Sequence, residues 1–202
     1  MTKQTDKIKN RYNRISNVYN MMDHMIRPVW RKEMLRNVEG NILEVGVGTG
    51  ANFDYYPINT HVTGIDFSPQ MLEKAKEKLP SSKAHITLKE MDIENLGFSD
   101  NTFDVVISSC VFCSVPNPVA GFKEIRRVVK HEGKIIMLEH MRSDNPLIGS
   151  VLDIINPFAV RLSGANVNRN TVSNIEKAGL KIESEEYLLT SIMRKLVILP
   201  NK

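Results

Sequence analysis

Apolar positions along this chain follow two periods. Ile8, Tyr12, Ile15 and Tyr19 recur at helical spacing with Lys9, Arg11 and Arg14 off that face, which predicts a basic amphipathic helix over residues 7–20. Met21, Met22, Met25, Ile26, Val29, Trp30, Met34 and Leu35 predict a second helical stretch, interrupted at Pro28 and closed by Gly40. From Ile42 onward, short apolar runs take over. Residues 42–45, 61–66, 84–90, 103–108 and 134–139 read as strands, the fourth almost continuously apolar, as a strand covered on both faces must be. Helical patterns separate them. Ser68 caps one that carries Pro69 in its first turn and runs through Met71, Leu72, Ala75 and Leu79; Phe122, Ile125, Val128 and Val129 mark the next. After the fifth strand come a helical pattern over 146–162 broken at Pro157, a short helix over 171–178 closed by Gly179, and late strands over 180–187 and 191–199. Strand and helix alternating over short links predict an α/β fold, a parallel sheet wrapped on both sides. Without an internal repeat or linker, 1–202 reads as one domain, with 1–38 as a helical lid on a core of 39–202.

Composition narrows the setting. At 202 residues, 42% hydrophobic and 25% charged, the chain can bury a proper core. It has no apolar run near the roughly 18 residues that a membrane span needs, and its start has no signal-peptide core, which predicts a cytoplasmic location. Cys110 and Cys113 cannot supply four ligands between them, so no metal site is expected and both read as buried, reduced thiols. Charge is uneven: residues 1–36 hold nine Lys and Arg against three Asp and Glu. Such a segment is either a solvated basic helix or one that meets an anionic surface, such as phospholipid.

The candidate chemistry sits at strand ends. In a doubly wound sheet, ligands bind beyond the carboxyl ends of the strands, where the chain order reverses. Glu44 and the loop Gly46-Val47-Gly48-Thr49-Gly50 follow the first strand, Asp66 the second, Asp92 the third, Ser108 to Cys110 the fourth, and Glu139 with His140 the fifth. The glycine loop and an acid 20 residues beyond Gly46 also match a dinucleotide pattern, which leaves a nicotinamide oxidoreductase as an alternative. Against it, Glu44 would sit close to a pyrophosphate, and Pro57 arrives too soon for a long phosphate-facing helix. An acid there suits a cationic ligand.

Taken together, Glu44-Val45-Gly46-Val47-Gly48-Thr49-Gly50, Gly64-Ile65-Asp66, Met91-Asp92-Ile93 and Phe103-Asp104-Val105-Val106 resemble the ordered motifs of class I S-adenosylmethionine-dependent methyltransferases. The resemblance implies a Rossmann-like fold with a seven-stranded, mostly parallel sheet, helices on both faces and an antiparallel last strand. It also implies S-adenosylmethionine as cofactor. Gly46, Gly48 and Gly50 would then admit the methionine part, Glu44 its amino end, Asp66 the ribose hydroxyls and Asp92 the adenine amine. Phe67, Met71, Met91 and Ile93 would pack on the base, with Ser108 and Cys110 also bounding the site. A non-catalytic cofactor-binding protein is a second alternative.

The acceptor is read from the remaining motifs. Ser108-Ser109-Cys110-Val111-Phe112 stands where nucleobase and glutamine methyltransferases carry Asn/Asp-Pro-Pro-aromatic, which argues against nucleic acid. Thr49-Gly50-Ala51-Asn52-Phe53 with Tyr56-Pro57, Val111-Phe112-Cys113-Ser114-Val115, Leu138-Glu139-His140 and Ser163-Gly164-Ala165-Asn166-Val167-Asn168-Arg169 resemble segments of small alkyl-thiol methyltransferases, a group that blends into phospholipid N-methyltransferases and quinone methyltransferases. A thiol, a phospholipid amine or a quinone is therefore the expected acceptor, with weak contact between residues 1–36 and an anionic membrane surface. Arg142, Asn166 and Arg169 are candidates to meet an acidic group of the substrate, and Met21, Met22, Met25 and Met34 to line a greasy pocket. His140 is the candidate general base and Tyr19 the residue that closes over the cofactor.

Overall fold

The computed structural model describes residues 3–15 and 26–202. Its strands are β1 (Asn41–Val45), β2 (His61–Asp66), β3 (His85–Glu90), β4 (Phe103–Ser109), β5 (Val129–His140), β6 (Lys181–Leu189) and β7 (Met193–Leu199). The helices are α1 (Lys3–Ile15), α2 (Pro28–Leu35), α3 (Pro69–Lys78), α4 (Pro118–Val128), α5 (Pro146–Ser163) and α6 (Thr171–Lys177). One sheet takes the order β3-β2-β1-β4-β5-β7-β6. β1 to β5 pair in parallel, and β7 runs antiparallel to both β5 and β6. The seven-stranded class I architecture is therefore present, antiparallel last strand included.

Period-two alternation divides the core into two layers. Leu43, Val45, Val106, Ile135 and Met137 face the α4 and α6 side with Phe122, Ile125 and Ile175. Ile42, Val105, Ile107, Ile136 and Leu138 face the other side with Met34 and Leu35 of α2 and Leu72 and Ala75 of α3. Met34 is thus a core residue. Tyr19, Met21, Met22 and Met25 lie outside the described residues.

The break expected at Pro28 is present: α2 opens there because the preceding Arg27 is extended (φ −60°, ψ 140°), as a residue before proline prefers. Other boundaries differ from those the pattern predicts. β5 begins at Val129, not near Lys134, and runs through Gly133. A Cβ there would lie 2.8 Å from the Asp104 carbonyl oxygen, so glycine lets β4 and β5 close up where their register shifts. α5 continues through Pro157. Asn145 caps its start by accepting from the Leu147 and Ile148 amides, and Gly164, at φ 84°, closes its end, so both termini are held around the proline.

Candidate active site

β1 and β4 are neighbours in the sheet, yet the chain leaves β1 toward β2 and β3 and leaves β4 toward β5. That reversal opens a crevice at their carboxyl ends. A cleft lies there, walled by residues that follow β1, β2, β3 and β4 together with Tyr12 of α1.

The loop after β1 supplies its floor. Gly46 and Gly48 both line the cleft and take positive φ, 64° and 53°, a region that side-chain-bearing residues avoid. The Gly48 amide donates to Asp66 Oδ2 at 2.9 Å and the Ser68 amide to Asp66 Oδ1 at 2.9 Å. Asp66 is therefore fixed at the rim by backbone, while Ser68 caps α3 by accepting from the Met71 amide. Burial pushes the Asp66 carboxyl up to about 6, against the lowering pull of the amides that donate to it. A carboxylate offers about four acceptor positions, so at least one remains for a ligand hydroxyl beyond the Gly48, Ser68 and Phe67 amides.

Apolar walls flank this carboxylate. Phe67 and Met71 follow from the start of α3; Met91, Asp92 and Ile93 follow β3. Asp92 Oδ1 accepts the Glu94 amide at 3.0 Å, which orients it in its turn. On the far side Tyr12 of α1 meets Phe67 edge-on, ring centres 5.8 Å apart and planes at 62°. Tyr12 also hydrogen-bonds Ser114, and burial drives its phenol well above the usual tyrosine range. α1 is held at both flanks: Ser68 donates to Asn13 at 2.6 Å, Lys9 pairs with Glu90, and Arg11 donates to the Val160 carbonyl of α5 at 2.8 Å. The basic helix thus lies across one side of the cleft. Its aromatic was visible in the sequence, but a tyrosine at helical spacing reads equally as core.

Four of the expected site residues are not among the described walls. Gly50 packs against Phe53, where a Cβ would fall 2.6 Å from the ring. Glu44 shares its strand face with Ile42, so it points to the α2 and α3 side, where Oε1 accepts from Asn52 and Oε2 from Tyr56, each within 3 Å. Arg31 of α2, also buried, donates to Asn52 at 2.6 Å and completes this support under the loop. Ser108 points to the opposite layer and donates to Glu139; Ser109 takes its place at the cleft. His140 is half-buried at the end of β5, with its pKa lowered by burial, so its ring is neutral at physiological pH. Cys110 lines the cleft, adopts φ 54° and faces the His140 amide. Both cysteines are free, and burial pushes the Cys113 thiol up to about 12, so neither is a reactive thiolate.

Glu139 is the residue whose importance the sequence understated. Its Oε1 accepts from Ser108 Oγ and from the amides of Val111 and Phe112 at 3.0–3.3 Å, which anchors the loop bearing Cys110 and Val111. Across that loop, the Cys113 carbonyl accepts from the Asn166 backbone and side-chain amides and from Arg169. Three segments distant in sequence are thus knitted together beside the cleft. Arg142 is taken up elsewhere, in an ion pair with Asp153. Burial raises the Glu139 carboxyl from 4.5 to about 7. The folded protein therefore holds a proton that the unfolded chain has released between those values, and stability falls as pH rises through that window. Glu139→Gln, which keeps the accepting oxygen, is expected to abolish that decline, a difference on the order of 3 kcal/mol across the window. Urea unfolding at pH 5, 6 and 7 measures it; parallel slopes in the two proteins would contradict the assignment.

Residues 43–137 match the model of a methyltransferase domain family. The phosphatidylethanolamine N-methyltransferase of Cereibacter sphaeroides is 37% identical over 114 residues, 55% of this chain and 56% of its own length, so the match spans little more than half of that relative. The demethylmenaquinone methyltransferase of Staphylococcus epidermidis is 32% identical over 165 residues, 78% of this chain and 67% of its own. Among solved structures, a chain of the Haloferax volcanii complex between the Trm112 activator and a methyltransferase superposes with a TM-score of 0.73 at 15% identity, covering 95% of this chain and 98% of that one. A SAM-dependent methyltransferase from Thermotoga maritima gives 0.68 at 20% identity, covering 94% and 99%. These likenesses speak to fold alone. The positive-φ loop and an Asp66 with an acceptor position to spare fit the cofactor of this group. By its kinship to the staphylococcal enzyme across two thirds of that protein, the chain belongs to the class I S-adenosylmethionine-dependent methyltransferases, with S-adenosylmethionine as its cofactor.

Proposed function

We propose that the protein methylates a lipophilic acceptor carried in a membrane, a phospholipid amine or a quinone, working as a peripheral protein on the cytoplasmic face. The observation that carries this reading is the similarity to two relatives named for phosphatidylethanolamine and demethylmenaquinone. When bound, S-adenosylmethionine supplies a methyl group already activated on a sulfonium centre, so the chain has only to bind, align and exclude water. Asp66 holds the ribose and Asp92 the adenine amine, with Phe67, Met71, Met91 and Ile93 against the ring. Gly46 and Gly48 let the backbone approach the methionine part. Glu44, braced by Asn52 and Tyr56, positions that loop from beneath. Tyr12 and α1 form the described part of the lid. His140 is neutral and meets Cys110 only through its backbone amide, outside the described walls, so no proton transfer is assigned to its ring.

An alkyl thiol is the second reading, and one observation favours it. Three of the four segments that resemble thiol methyltransferases, those at 111–115, 138–140 and 163–169, converge around Glu139 and the Cys113 carbonyl. Labelled S-adenosylmethionine offered with phosphatidylethanolamine, a demethylated quinone and a long-chain thiol decides between them by the identity of the labelled product. Transfer to none of the three, with S-adenosylhomocysteine still bound, would leave a cofactor-binding protein without this activity. NADH binding in place of S-adenosylhomocysteine would favour an oxidoreductase.

A further inference from the structure

Among the described residues, α5 adds none to either of the two core layers, and only Leu152 of its large apolar side chains is buried. Apart from Leu152 its large apolar side chains face outward: Leu147, Ile154, Phe158 and Leu162 are between 71% and 84% exposed, and Val151 and Ile155 fill the intervals. The spacing 147, 151, 154, 158, 162 is one continuous helical stripe, running about 22 Å from Leu147 to Leu162. Among the described residues the other exposed large apolar side chains are Val29, Ile58 and the pair Tyr187 and Leu189, whereas a contiguous stripe marks a surface that meets something apolar. Period alone could not reveal this, because an amphipathic face looks the same in sequence whether it covers a core or a partner.

The charges around the stripe point to what covers it. The one carboxylate of the helix, Asp153, is neutralised by Arg142 and accepts from Asn168. At the other end Arg161 is exposed, and Arg11 of α1 reaches the Val160 carbonyl one residue away. Lys7, Arg11 and Arg14 share a face of α1, with Lys7 and Arg14 exposed. An apolar face with cations along one end is the pattern of a helix lying in the headgroup region of a bilayer that contains anionic lipid. Among the described residues no helix is long and apolar enough to cross a membrane, so a bilayer that α5 meets would be met along the helix and not across it.

We propose that the exposed face of α5, together with the basic face of α1, is the surface by which this protein sits on an anionic bilayer. This rests on the lipid-acceptor reading and adds the place of contact to it. α5 follows the end of β5 and α1 borders the cleft, so the same contact brings the cleft to the lipid.

Flotation with vesicles of phosphatidylethanolamine and phosphatidylglycerol tests it, with phosphatidylcholine vesicles as the neutral control. The wild-type protein is expected to float with anionic vesicles at moderate salt, and Ile154→Glu with Phe158→Glu to lower its partition at least tenfold. Lys7→Glu or Arg14→Glu should each weaken binding about fivefold on anionic vesicles alone. S-adenosylhomocysteine affinity, measured by calorimetry, should not change in any of them, since none of these side chains touches the cleft. Unchanged flotation of the α5 double variant overturns the proposal, as does a wild-type protein that methylates lipid without floating. So would a dimer that the double variant dissociates while flotation persists, because the face would then belong to a second copy. Binding through α5 with no transfer to any lipid leaves this inference standing and removes the acceptor reading instead.

Discussion

Replacing Asp66 with alanine is expected to raise the dissociation constant for S-adenosylhomocysteine by about one to two orders of magnitude while the protein stays folded. Hydrogen bonds to an ionised acceptor contribute about 1.5–3 kcal/mol each, and one ligand hydroxyl on the carboxylate brings the loss into that range. The fold survives because the change cuts both ways. Alanine leaves the Gly48 and Ser68 amides without their acceptor, but it also removes a buried carboxylate whose ionisation at neutral pH is disfavoured by burial. The pH dependence gives a second signature. With the carboxyl raised to about 6, ligand affinity in the wild type should fall as pH drops through that value, because protonation removes an acceptor. Calorimetry from pH 5 to 8 on both proteins is the measurement. An alanine variant that binds like the wild type, or falls with it below pH 6, would falsify the role of Asp66.

Gly46→Ala is expected to cost about 2–4 kcal/mol of stability and to weaken the same ligand at least tenfold. Two strains combine at this position. The backbone sits at φ 64°, and a Cβ there would meet the Val111 side chain at 2.5 Å. Val111 has little room to retreat, since its amide is bonded to Glu139 at 3.0 Å, and any shift moves a wall of the cleft. Urea unfolding and ligand titration together report the effect. An unchanged midpoint with unchanged affinity would mean that the loop yields freely.

The scaffold was legible because buried parallel strands are apolar throughout and end abruptly. The acids that stop β2 and follow β3, Asp66 and Asp92, could be placed at one rim from strand order alone, and the structure lines one cleft with both. The same uniformity hid side-chain direction. In β1, Leu43 and Val45 face one layer and Ile42 and Glu44 the other, and nothing in a run apolar on both sides announces that parity. Glu44 and Ser108, each one step from the rim, therefore point away from the cleft described here. Glu139 was hidden for a different reason: its partners are backbone amides, which carry no residue-type signal.

The pairing of β1 with β4 has a kinetic consequence. Ile42 and Val105 stand roughly sixty residues apart in the chain, so closing that ladder costs about 1 kcal/mol more loop entropy than the adjoining β1–β2 pairing across roughly twenty residues. Until it closes, the crevice does not exist, since its two sides belong to different halves of the chain. A partly folded molecule with only β1, β2 and β3 in register would thus present Asp66 and yet hold no ligand. Cofactor present during refolding should accordingly leave the early phases untouched and retard only unfolding of the completed sheet.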